Sequence, residues 1–378
     1  GSSLYGSYAP NNFKVNFSDN GIINIPYVSM GANYPDVSWQ KTTMKNIGLD
    51  FYLLSDRISG SFDFFRNDIT RLLGYASTSP LAIYETRPIN GGHYYRRGWE
   101  LMVDTKNLVG EFTWDTSLTF SKTNSFWKER LPNYDYQIYQ QRENEPMSAY
   151  YYYNVTGIIN TDRSNMPESQ KTLQAEAQLP GCPIIEDKNK DGKIDENDVY
   201  MKDNSPAIYV GIGNTFTYKR FEFSFFMYGQ FGIQKYNIAY SAAQAGPLAV
   251  DYPENSNKFA YRLWNSQTNP NGSRPGLAIG KMGALPGNAW VNADRENASF
   301  MRMRNITLAY NLAGNILGSL QRYVRNIKVY VDAQNPFILT KFQGFDPEIY
   351  TGGGGASGGS RGEYPQTRTF SLGANITF

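Results

Sequence analysis

Asp187-Lys188-Asn189-Lys190-Asp191-Gly192-Lys193-Ile194-Asp195-Glu196-Asn197-Asp198 holds the densest set of potential metal ligands in the chain. Oxygen-bearing side chains stand at the first, third, fifth and ninth positions (Asp187, Asn189, Asp191, Asp195), glycine at the sixth and isoleucine at the eighth. Calcium is a hard cation that takes six to eight oxygens, and alternate side chains of such a loop converge to supply them. Lys193, at the seventh position, would add its backbone carbonyl, and Asp198 closes the loop where a longer glutamate usually binds through both oxygens. A solvated, charged turn is the alternative. No apolar-periodic helix precedes the motif, so the expectation is a lone structural calcium loop that orders residues 180–206.

Other chemistry is sparse. His93 is the one histidine, beside Gly91 and Gly92, with no sequence-local carboxylate or nucleophile. A barrel hydrolase would need such a base; a solvated loop histidine and no catalytic residues are the expectation. Cys182, the one cysteine, lies between Gly181 and Pro183 as a small inert residue. Thr351 to Gly362 is glycine-rich but lacks the Gly-Lys-Ser/Thr of a phosphate loop, and reads as a loop tip. Asn-x-Ser/Thr matches at Asn154, Asn271, Asn297, Asn305 and Asn375 read as chance. Tyr134 and Tyr136, with Tyr151 and Tyr152 in the run Tyr150 to Tyr153, supply flat rings suited to stacking on sugars or peptides. An aromatic girdle at a bilayer interface is the competing reading.

The elements that would position these residues are strands. The 378 residues include 36 basic and 34 acidic side chains, a balance that argues against a nucleic-acid protein. Aromatics make 15% of the chain beside 35 glycines, while hydrophobic content is 40%, a mix typical of β-proteins with wet surfaces. No run approaches the ~20 apolar residues of a spanning helix, and Gly1 to Gly6 lack the features of a signal peptide. Period-2 alternation marks nine strands: 46–54, 58–68, 97–104, 111–122, 207–218, 221–231, 300–312, 325–333 and the C-terminal segment. In the last, Phe370, Leu372, Ala374, Ile376 and Phe378 alternate with Ser371, Gly373, Asn375 and Thr377. Residues 149–156 could hold an extra strand.

Alternation alone also fits a soluble sandwich. The connectors 55–57, 69–96, 105–110, 123–206, 219–220, 232–299, 313–324 and 341–366 discriminate, because short and long ones alternate throughout. An antiparallel transmembrane β-barrel places alternate connectors at opposite ends, with short periplasmic turns and long external loops. The fold class expected is therefore all-β, with the C-terminus periplasmic, residues 1–45 an external loop or strand segment and 46–378 barrel strands with long loops.

Several segments, in order, resemble SusC/RagA-type TonB-dependent outer-membrane transporters. They are Asn90-Gly91-Gly92 with Arg97-Gly98-Trp99-Glu100-Leu101 (Arg97 where the family has Asn or Lys), Tyr151-Tyr152-Tyr153 with Gly157-Ile158, and the calcium-like loop. Ser299-Phe300-Met301-Arg302 with Asn305-Ile306-Thr307-Leu308, Gln334-Asn335-Pro336, Gly344-Phe345-Asp346-Pro347-Glu348, Tyr364-Pro365-Gln366-Thr367-Arg368 and the closing Phe378 continue the match. The resemblance implies import across the bacterial outer membrane, powered through TonB, of glycan or peptide fragments delivered by a SusD-like lipoprotein. It also implies a barrel of 22 strands around a plug. Signal peptide, TonB box and plug are not found in this chain, so the expectation is the C-terminal part of a larger barrel. It would meet the TonB complex through the missing N-terminal part, and would contact the remaining strands, the plug, and membrane lipid or lipopolysaccharide. A passive porin or structural barrel is the alternative, and the substrate is left open.

Overall fold

The computed structural model describes residues 37–77, 86–131, 136–140, 143–205, 207–237, 262–276, 279, 282–313, 317–319, 322–344, 346–348 and 365–378, with four short strands between Tyr8 and Ser29. Nine strands form one antiparallel sheet: β1 (Lys41–Leu53), β2 (Ile58–Ser77), β3 (Thr86–Leu108), β4 (Phe112–Glu129), β5 (Ile208–Tyr218), β6 (Phe221–Phe231), β7 (Phe300–Ala313), β8 (Asn326–Gln334) and β9 (Thr369–Thr377). Each lies beside its neighbours in sequence, from β1 at one edge to β9 at the other, and a three-residue strand, Ile338–Thr340, also pairs with β7.

All nine strands expected from alternation are present, with three corrections, the first being that β4 continues to Glu129 rather than ending at residue 122. β1 begins at Lys41 rather than residue 46. β2 and β3 are 20 and 23 residues long and stay paired from Ile58↔Thr105 to Ser77↔Thr86. The connector expected over 69–96 is thus mostly strand, and only 78–85 separates them. The extra strand expected within 149–156 appears as Ala149–Tyr153, followed by Val155–Ile158.

Between the β-bulges, register puts one set of side chains on one face of the sheet. Leu49, Phe62, Leu101, Phe120 and Val210 form one row, and Phe216, Phe223, Leu308, Val331 and Leu372 another. Among the described residues this face stays open: Ile47 is 77% exposed and Leu372 82%. Near the short-turn end it carries an aromatic belt, with Trp114 and Phe216 stacked at 5.7 Å, Phe216 and Phe223 at 6.0 Å, and Phe221 and Tyr310 at 4.7 Å. Such belts sit at membrane–water interfaces. Asn214 interrupts the apolar face but is satisfied there, accepting from Trp114 Nε1 at 2.8 Å and Thr116 Oγ1 at 2.7 Å. The opposite face is polar. Thr307 Oγ1 donates to Asp332 at 2.6 Å, and Lys328 Nζ donates to both Glu222 oxygens at 2.9 Å.

The apolar band does not run square across the strands. On β1 it comprises Ile47, Leu49, Phe51 and Leu53; on β9 it runs from Phe370 to Phe378. The row through Ala374 passes Val329, Tyr310, Phe221 and Tyr218 to Phe112, and there it leaves the turn end of the sheet beyond Leu108. The band therefore descends by about one residue per strand. With ~3.3 Å per residue and ~4.8 Å between strands, the strands lean about 35° from the band normal, within the range of transmembrane barrels.

The main hydrophobic core lies outside this sheet. Tyr139, Tyr153, Ile159, Cys182, Ile185 and Val199, from the long connector between β4 and β5, pack with Met282, Leu285 and Ala289 from the connector between β6 and β7. The two long connectors thus fold on each other as a small globule at the long-loop end.

Candidate functional site

Strand Ala149–Tyr153 organises this globule. It pairs antiparallel with Tyr200–Asp203 and, over two residues, parallel with Trp290–Val291. Period-2 geometry then divides the four tyrosines. Tyr153 is fully buried, and its hydroxyl donates to the carbonyls of Asp195 at 3.0 Å and Pro286 at 3.1 Å. Burial, reinforced by Asp198, Glu196 and Asp195, pushes its hydroxyl pKa far up, so it remains a neutral donor. Tyr151 packs against the same core, 5.0 Å from Tyr139, and accepts from Arg130 Nη2 at 3.3 Å.

On the other face, Tyr152 stacks between Tyr150 at 5.1 Å and Tyr200 at 5.8 Å. Arg295 caps the row, 3.8 Å from the Tyr150 ring centre, and Lys188 Nζ lies 4.7 Å from that of Tyr200. Of the expected ligand-contacting rings, then, Tyr152 is in a half-buried aromatic row and Tyr151 is turned inward. Tyr136 lies beneath the Arg130 guanidinium at 4.9 Å, and Tyr134 lies outside the described residues. The expectation had left out Tyr150, Tyr200 and Arg295. Alternation within the tyrosine run separates Tyr150 and Tyr152 from Tyr151 and Tyr153, but a cross-strand partner some 50 residues away has no local signature.

Residues 187–198 fold into a turn that closes on its own backbone. Asp187 accepts from the N–H groups of Asp191 at 3.2 Å and Gly192 at 2.9 Å, Asn189 from Asp191 at 3.1 Å, and Asp191 from Lys193 at 3.1 Å. Gly192 adopts φ +87°, in the left-handed region that glycine enters freely. Asp195 caps a single 3-10 turn in a capping box with Asp198. Asp198, 1% exposed, accepts from Lys188 N at 2.9 Å and Asp195 N at 2.8 Å. Lys193 Nζ lies 2.9 Å from Asp195 and 4.0 Å from Asp191. That ammonium, with the Asn197 N–H, holds the Asp195 carboxyl below the usual carboxylate range. Among the described residues no three carboxylate, imidazole or thiol side chains converge on one metal position.

His93 is not the solvated loop residue expected. It lies within β3, and its Nε2 is 3.2 Å from Asp68 Oδ1, with Arg66 on the same carboxylate at 3.0 Å. The carboxylate comes from the neighbouring strand, 25 residues away, which sequence proximity could not reveal. Cys182 is buried, and burial pushes its thiol pKa up to about 11. The glycine run 351–362 lies outside the described residues. A buried ion pair ties two of the resembling segments together: Arg302 Nη2 donates to Asp346 Oδ1 at 2.7 Å and Oδ2 at 2.8 Å, and Arg302 Nε meets Glu348. Asp346 also accepts from the Glu348 and Gln366 N–H groups, which pins the start and end of the last long connector to β7.

No family model matches the chain. Among characterised proteins it is 25% identical over 363 residues to TonB-dependent receptor P3 of Formosa agariphila, covering 91% of this chain and 34% of that protein. It is 28% identical over 352 residues to the TonB-dependent receptor SusC of Bacteroides thetaiotaomicron, covering 91% and 32%. Among solved structures, the RagAB peptide importer in its closed-closed state superposes with a TM-score of 0.72 at 18% identity, covering all of this chain and 39% of that one. The chain is similar to SusC in sequence and to the RagAB importer in fold. It spans about a third of the length of the curated relatives it matches. The superposition identifies the sheet as part of an all-β barrel wall, one face of which is polar and the other apolar. On the polar face Asp104, Asp115, Ser117, Thr215 and Ser224 line a concavity of about 400 Å³ near the short turns.

Proposed function

We propose that this chain forms part of the wall and external loops of a TonB-dependent importer in a bacterial outer membrane. The uncovered apolar band carries the reading, since it descends strand by strand at the pitch of a tilted barrel while the other face stays polar. The short turns and C-terminus face the periplasm, and the globule of long connectors faces outward. Among the described residues β1 and β9 each lack a partner on one side. Open edges are not viable in lipid, so further strands close the barrel around a plug. A SusD-like lipoprotein covers the long-loop end, the TonB complex acts from the periplasmic side, and the cargo is a glycan or peptide fragment. Two relatives support this reading: one named SusC and another a peptide importer.

The protein extracted from outer membranes should bring down a SusD-like lipoprotein with the remaining strands, and cargo uptake should stop when an uncoupler collapses the proton-motive force. Uptake that persists would make the barrel a passive porin.

Residues 187–198 act in this proposal as a structural calcium loop. Asp187, Asn189, Asp191 and Asp195 with the Lys193 carbonyl would be the ligands, and Asp198 would close the loop. The backbone already makes the tight turn at Gly192 and the hydrogen bonds that organise such loops. Calcium would displace the Lys193 ammonium from between Asp191 and Asp195. Calcium should therefore slow hydrogen exchange across residues 180–206; exchange indifferent to calcium and chelator would remove the ion from the proposal.

A further inference from the structure

Beyond the top of the apolar band, β1 to β4 present a run of cations on the lipid-facing side. Register places Lys45 opposite Arg66 and Arg66 opposite Arg97, each two residues beyond an apolar partner: Ile47, Phe64 and Trp99. Lys122, opposite Trp99 and two residues beyond Phe120, continues the run on β4. Arg368 holds the same place relative to Phe370 on β9. Like charges directly opposite on one face of an antiparallel pair are destabilising. Here three stand in one row, within ~10 Å given the spacing of strands.

The counter-charge in the fold is small. Among the described residues Asp68 is the one carboxylate paired with this row, and it is shared by Arg66, at 3.0 and 3.1 Å, and His93. Lys45, Arg97 and Lys122 form no ion pair among the described residues; Arg97 lies 5.9 Å from the Tyr95 ring centre and 5.2 Å from that of Phe126. The turn end differs, because Lys219 there has Glu111 at 3.5 Å. What is unbalanced at the long-loop end is positive charge at the height where an outer-leaflet headgroup lies, with guanidinium forks that match phosphate oxygens.

We propose that Lys45, Arg66, Arg97 and Lys122 form an anion collar that binds the phosphate groups of outer-leaflet glycolipid. It rests on the membrane-wall reading above and adds a lipid site to it. Bound phosphate relieves the cation–cation repulsion, so lipid binding and wall stability are linked.

The test uses the protein extracted from outer membranes in detergent. Thermal unfolding is followed while adding a phosphorylated lipid A-type glycolipid, its dephosphorylated counterpart, or inorganic phosphate. The unfolding midpoint should rise saturably with the phosphorylated lipid at a concentration at least about tenfold below that for the dephosphorylated one, given ~1 kcal/mol per basic residue at a charged membrane surface. The combined variant Lys45→Gln, Arg66→Gln, Arg97→Gln, Lys122→Gln should lose that preference, whereas Lys45→Arg with Lys122→Arg should keep it. Should the combined variant fail to fold, judged by heat-modifiable migration, Arg97→Gln alone should weaken the preference measurably. Equal response to both lipids, an equal effect from inorganic phosphate, or an unchanged preference in the Gln variants would overturn the collar. A protein stable without detergent would instead defeat the membrane-wall reading.

Discussion

The barrel wall and the globule of long connectors solve the same problem of apolar surface in opposite ways. In the wall, Ile47, Phe64, Phe223 and Leu372 stay exposed on the apolar face of the sheet. In the globule, Tyr153, Ile159, Ile185 and Val199 are covered by their own chain. The wall's stability is therefore a property of membrane and protein together, while the globule's is set by internal packing and aqueous conditions. Both come from runs of alternating residues; what differs is whether the opposite face of the strand meets water or another connector.

The largest separation between the two should come from Tyr153→Ala. It empties a fully enclosed site and removes a hydroxyl from the Asp195 and Pro286 carbonyls, a change of the kind that costs about 3–5 kcal/mol. Limited proteolysis should open residues 149–205 while the wall keeps its heat-modifiable migration; simultaneous loss of both would mean the two regions fold as one unit. A smaller effect, confined to the wall, is expected from Ala374→Arg, which places a charge in the middle of the lipid-facing band and should cost about 2–4 kcal/mol in bilayers. Ser371→Arg, on the inner face opposite Asp332, should stay within about 0.5 kcal/mol. If both arginines behave alike in refolding titrations into lipid, the assignment of faces is wrong.

The smallest change belongs to the globule's surface. Because Lys193 and the Asn197 N–H depress the Asp195 pKa in the fold, that carboxylate stabilises the native state above its ordinary pKa, and the contribution disappears as pH falls through the depressed value. Lys193→Met should move the Asp195 titration midpoint upward in a ¹³C-detected carboxyl titration, with little change in unfolding at neutral pH. An unmoved midpoint would show that the backbone donor alone sets it.

Sequence disclosed the wall well wherever lipid touches it. An apolar outer residue against a polar inner one yields a period-2 signal, and all nine strands carry it. The same strands become illegible above the band. In β2 and β3 the outward positions turn to Arg66, Asp68, Thr70, His93 and Tyr95, so the contrast between faces vanishes although the pairing continues to Ser77 and Thr86. Site residues divide in the same way. Asp187 to Asp198 are legible because their chemistry is contiguous, whereas the Arg295–Tyr150–Tyr152–Tyr200 row and the Arg302–Asp346 pair are assembled from distant segments by strand register. His93 was misread for that reason.

The one-residue descent per strand works like the pitch of a screw thread. A neighbouring piece can mate with either margin only if it climbs at the same rate, and the accumulated climb must meet itself after one full circuit. Partners for this polypeptide are thus filtered by gradient before any individual contact is judged, and a wall borrowed from a barrel of different slope would leave its greasy stripe stepped at the seam.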